Sequence, residues 1–119
     1  MHIKLAAIHP SQDFLKPGTI NYILTCIQAD TLEKLPPAPI VKALGGGQYV
    51  AIDGHNLLAV YQHLKVDEVE VHVATSADDG LAESGKDNRA RNAELKAKYD
   101  SVQAVGSFAD LTAQYAELF

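Results

Sequence analysis

Apolar positions along this chain keep two rhythms, and the switches between them divide it into elements. Ile3, Leu5 and Ala7 alternate loosely with Lys4, Ala6 and Ile8, which predicts a first strand over Ile3–Ile8. His9-Pro10-Ser11-Gln12-Asp13 breaks it, because proline forces an extended or turn geometry and Ser and Asp favour turns and caps. Pro17-Gly18-Thr19 then opens a helix whose Ile20, Ile23, Leu24 and Ile27 repeat at i, i+3, i+4 and i+7, with Cys26 beside the stripe. The helix should fade near Asp30, leaving Thr31–Leu35 as a connector or short extra turn.

Pro36-Pro37-Ala38-Pro39 cannot lie inside a helix and delivers an extended chain to Ile40–Leu44. Gly45-Gly46-Gly47 joins that run to Gln48–Ile52, and two apolar runs joined by glycines read as a β-hairpin. The triple glycine precedes a strand rather than a helix, which argues against a phosphate loop. The rhythm changes again at Asp53-Gly54-His55-Asn56, after which Leu57, Leu58, Tyr61 and Leu64 predict a helix. Past the turn Lys65-Val66-Asp67, Val69–Val73 alternates as a strand with its valines inward and Glu70 and His72 toward water. Residues Thr75–Asn88 read as a solvated loop. A polar helix over Arg89–Val102 carries Leu95, Tyr99 and Val102. A last helix is capped by Ser107 and faced by Phe108, Leu111, Tyr115 and Leu118.

This order predicts an α+β domain: a small mixed sheet packed with helices, closed by a C-terminal helical pair. At 119 residues the chain reads as one domain. With 47% hydrophobic and 21% charged residues it has the composition of a soluble globular protein. No stretch is long and apolar enough for a membrane span, and the N-terminal residues do not form a signal peptide. A lone Cys26 excludes an internal disulfide and suits a reducing, cytoplasmic compartment. The net charge of −5 disfavours nucleic acid as a main partner but leaves small anions open. Lys86, Arg89, Arg91, Lys96 and Lys98 are diluted by acidic neighbours and read as a solvated face. The oligomeric state is not encoded in any feature of the chain.

The histidines show no metal-ligand spacing, so no metal site is expected from them. His63 and His72 read as surface residues, and Cys26 as a small buried hydrophobe. The polar strand–helix junction is the main candidate. Free N–H groups and the positive end of the helix dipole make such a junction an anion site. Gly54, His55 and Asn56 are the phosphate-binding candidates, with His55 placed to donate a charge-assisted hydrogen bond. Asp53, at the strand end, is placed either to cap the helix or to hold a metal or substrate hydroxyl. The turn of His9, Ser11 and Gln12, with Asp13, is the second candidate, and a plain connecting loop is the alternative reading.

The order of elements, with Pro39-Ile40-Val41, Tyr49-Val50-Ala51-Ile52-Asp53-Gly54-His55 and Leu57-Leu58-Ala59, resembles the ParB/sulfiredoxin superfamily over about residues 1–75. Residues 76–119 lie outside the resemblance. Members of that superfamily include CTP-hydrolysing partition clamps, ATP-dependent sulfiredoxins, free-serine kinases and ParB-like nucleases. The resemblance implies nucleotide phosphate (ATP, ADP or CTP, with Mg²⁺) at the Gly-His turn, and either phosphotransfer or nucleotide hydrolysis. Asp53 and Asp13 are the carboxylates such chemistry would use. The alternative it carries is a non-catalytic module in DNA partition or regulation, or nuclease-like DNA binding.

Three positions depart from the superfamily's patterns. Asn56 and Leu57 replace the arginine that usually follows Gly-His, which removes a bidentate phosphate ligand. Gly54 replaces the sulfiredoxin cysteine, which excludes thiol repair at this turn. His9-Pro10-Ser11-Gln12 matches the shape of the kinase first loop, but Gln12 cannot accept a proton as its glutamate does.

Overall fold

The computed structural model describes residues 1–74, Glu94 and residues 97–119. Its strands are β1 (His2–Lys4), β2 (Ile8–His9), β3 (Ile40–Gly45), β4 (Gln48–Asp53), β5 (Glu68–Glu70) and β6 (His72–Val73). Its helices are α1 (Pro17–Gln28), α2 (His55–His63) and α3 (Phe108–Gln114), and residues 97–101 are also helical. The architecture is α+β. A four-stranded mixed sheet has the order β2-β4-β3-β6, and a separate antiparallel pair joins β1 to β5. No helix among the described residues is long and apolar enough to cross a membrane.

The predicted first strand is two strands. β1 pairs with β5, a short 3₁₀ turn over Leu5–Ala7 redirects the chain, and β2 then lies parallel to β4. The apolar pattern hides the break because Leu5, which opens the turn, and Ile8, which follows it, are both buried. The run Val69–Val73 divides in the same way, at Val71, whose N–H donates to the Met1 carbonyl. His72 is therefore half-buried rather than turned to water, and its Nε2 is shut off from solvent. The β3–β4 hairpin forms as expected, with Gly45, Gly46 and Gly47 all at positive φ.

The main core gathers Ile20 and Ile23 of α1, Leu58 and Val60 of α2, Val41 and Ala51 of the sheet, and Phe108 and Leu111 of α3. Cys26 is buried at the edge of α1 and is a free thiol. α2 packs against both α1 and α3. It is buried more widely than its predicted stripe, because Ala59 and Val60 are also fully enclosed. Leu64, expected on that stripe, follows the last helical turn and is exposed. A smaller cluster of Ile40, Ile52 and Ala74 is covered by Tyr99 and Val102. The Lys42 ammonium helps to hold this cover: Nζ donates to the Tyr99 carbonyl at 2.9 Å and lies 4.5 Å from the centre of that ring.

Ser107 caps α3 by accepting a hydrogen bond from the Asp110 N–H, as its position in the sequence predicts. The helix stops at Gln114, and a 3₁₀ turn over Ala116–Leu118 carries the rest of the apolar face. The expected solvated loop Thr75–Asn88 lies outside the described residues, as does half of the expected helix Arg89–Val102.

Candidate functional site

The β4–α2 junction turns on Gly54, the residue before the first turn of α2. Its φ of 89° and ψ of 22° place it in the left-handed region, which side chains disfavour. A Cβ there would sit 2.7 Å from Pro39 Cβ and 2.8 Å from Pro39 Cα. Glycine is thus required twice, by backbone conformation and by the close approach of the Pro39 segment. Having no side chain, it cannot cap the first N–H groups of the helix. Asp53, Gly54 and Asn56 are each half-exposed.

His55 lies the other way, into the molecule, and is 4% exposed. Its Nε2 accepts a hydrogen bond from the Ser11 backbone N–H at 2.9 Å. The Ser11 hydroxyl donates to the Ala51 carbonyl at 2.6 Å, so its oxygen, 3.2 Å from Nε2, brings that nitrogen no second proton. A nitrogen that accepts in this way carries no hydrogen, which makes the ring the neutral Nδ1–H tautomer. Burial pushes its pKa down to about 4; the nearby Asp53 carboxylate opposes that shift and Lys98 adds to it. The Phe108 ring packs beside it, with centroids 5.9 Å apart.

This geometry opposes the charge-assisted phosphate contact expected of His55. The imidazole is neutral, and its acceptor nitrogen is taken up by the first loop. Asn56 does similar work one residue later, its Oδ1 accepting from the Lys16 N–H at 2.8 Å just before α1. The two side chains clasp the β2–α1 loop at both ends, which is where the structure brings the two candidate turns together.

The remaining first-loop residues have separate partners. His9 Nε2 is 2.8 Å from Gln48 Oε1, across neighbouring strands. Gln12 Nε2 donates to the Phe14 carbonyl within the loop. Asp13 is exposed and lines a hollow of about 220 Å³ with Asp110 and Gln114. Of the basic cluster, only Lys98 is among the described residues, and it pairs with Glu94 at 3.4 Å. No three His, Cys, Asp or Glu side chains among the described residues are grouped so as to hold a metal ion.

A larger cleft of about 340 Å³ opens beside the clasp, between the first loop and residues 98–105. Ser11, Gln12 and Ile52 form one side of it, and Lys98, Ser101 and Gln103 are among the residues of the other. The Val105 N–H donates to the Pro10 carbonyl at 2.8 Å and ties the two sides together. No periodicity or motif in the sequence relates residues 98–105 or Phe108 to the first loop. The Ser107 cap was the one local signal that a helix begins there; nothing local indicates that its first residue covers His55. No protein-family model matches the chain, and no curated protein sequence matches it.

Proposed function

We propose that this protein is a ParB-like cytoplasmic module that binds a small phosphate-bearing ligand at the β4–α2 turn, a nucleotide such as ATP, ADP or CTP with Mg²⁺. The observation that carries the reading is Gly54, a left-handed cap residue with no side chain, seated on Pro39 at the start of a nine-residue helix. Helix-start N–H groups and the helix dipole favour an anion at such a place. The antiparallel β3–β4 hairpin leads into that turn, and β2, parallel to β4, carries the clasped first loop to it.

Binding is favoured over phosphoryl transfer. Gln12 is an amide bonded within its own loop, Asp13 lines a different hollow from Ser11, and His55 is held neutral as an acceptor. The phosphate would be held by backbone N–H groups, while Asp53 would orient Mg²⁺ or a ligand hydroxyl. Isothermal titration with ATP, ADP and CTP, each with Mg²⁺, tests this on the wild type and on Asp53→Asn. Saturable heat with at least one nucleotide, weakened in the variant, is the expected outcome. Absence of heat with all three contradicts it.

A further inference from the structure

We infer that the cleft between the first loop and residues 98–105 is a binding site for a small anion that also carries hydroxyl or amino groups. The cleft adjoins the β4–α2 turn through Ser11, and the inference rests on the phosphate reading only for the identity of the anionic group. Its volume of about 340 Å³ falls at the lower end of the roughly 300–1,000 Å³ of small-molecule pockets, which suits one compact ligand.

The lining decides the chemistry. Ser11 Oγ spends its proton on the Ala51 carbonyl and Ser101 Oγ on the Ala97 carbonyl. Each hydroxyl is therefore left to offer lone pairs to a ligand that donates. Gln12, with its amide nitrogen bonded to the Phe14 carbonyl, offers its oxygen likewise. Ile52 and Val102 supply an apolar face. None of the described lining residues is a carboxylate, and Lys98 is the cation. Among the described residues, Glu94 pairs with Lys98 at 3.4 Å, and the Asp53 carboxylate, like Lys98, acts on the buried His55 beside the cleft. The Lys98–Glu94 pair is exposed on both sides, and exposed pairs of this spacing are weak enough for a bound anion to displace. A ligand with donor groups and one anionic group fits this set, with donors toward Ser11 and Ser101 and charge toward Lys98.

Ribose 5-phosphate, inorganic phosphate and neutral ribose are the probes, followed by amide chemical shifts of the full-length protein. Ribose 5-phosphate should shift the amides of Ser11, Gln12, Val102 and Gln103 more than inorganic phosphate does, and ribose should leave them unchanged. Lys98→Gln should weaken that binding about tenfold, the loss of one charge-assisted contact, and Lys98→Arg should restore it. Shifts confined to other regions, or equal binding by Lys98→Gln, overturn the inference. Nucleotide shifts at His55, Asn56 and Leu57 alone, with none from ribose 5-phosphate over residues 98–105, overturn it while leaving the phosphate reading intact. Ribose 5-phosphate shifts in the cleft with no response to any nucleotide support it and remove nucleotide binding instead. No shift with any probe overturns both.

Discussion

At His55 the surroundings set the protonation state, and stability is thereby linked to pH. The folded imidazole has a pKa of about 4, below the ordinary 6.5 that the unfolded chain shows. Stability from this residue is therefore complete above about pH 6.5. It declines as pH falls toward 4, because the unfolded chain takes up the proton first. About 3 kcal/mol should be lost across that window, read from urea midpoints between pH 7.5 and 4. His55→Gln should be less stable at pH 7.5 yet lose much less on acidification. Gly54 makes a second residue-level contrast. Gly54→Ala should cost about 3 kcal/mol, combining left-handed backbone strain with the Pro39 clash, whereas Gly46→Ala, equally left-handed but in open space, should cost about 1 kcal/mol. The need for glycine at the turn was visible in the sequence as a residue between strand and helix rhythms. The Pro39 contact was not, because it joins segments that no periodicity relates.

Single elements were legible where one face meets one core. α1 starts at its proline and buries Ile20 and Ile23, and the triple glycine turns β3 back onto β4. Legibility failed where a run changes partners midway. Ile3–Ile8 and Val69–Val73 each keep an apolar pattern while crossing from one sheet to another, and the buried Ile3, Leu5 and Ile8 on one run and Val69 and Val71 on the other carry no mark of the change. The candidate site failed for a related reason. His55 carries the same letter whether it faces solvent or accepts from Ser11, and only the packed fold decides between them. The cap of α3 was readable because its signal is local. Ser107→Ala should lower stability by about 1 kcal/mol, measured by thermal or urea unfolding, through loss of the bond from the Asp110 N–H.

Across the whole molecule, the C-terminal residues complete the junction that the N-terminal half begins. Phe108 lies in the main core and beside His55, so the last helix helps to keep that imidazole dry. Phe108→Leu should cost about 1 kcal/mol and raise the His55 pKa above about 4, as followed by imidazole signals in a pH titration. Under the proposed reading the labour is divided: the His55 and Asn56 side chains hold the first loop, while Asp53 and the backbone of the β4–α2 turn would meet a ligand. The most direct test is one spectrum of the nitrogen-15-labelled protein at pH 6, taken with and without saturating nucleotide and Mg²⁺. The amides of Gly54, Asn56 and Leu57 should move while His55 Nε2 keeps the signature of an unprotonated acceptor. A protonated His55 in the complex, or unmoved amides at the turn, would contradict the account.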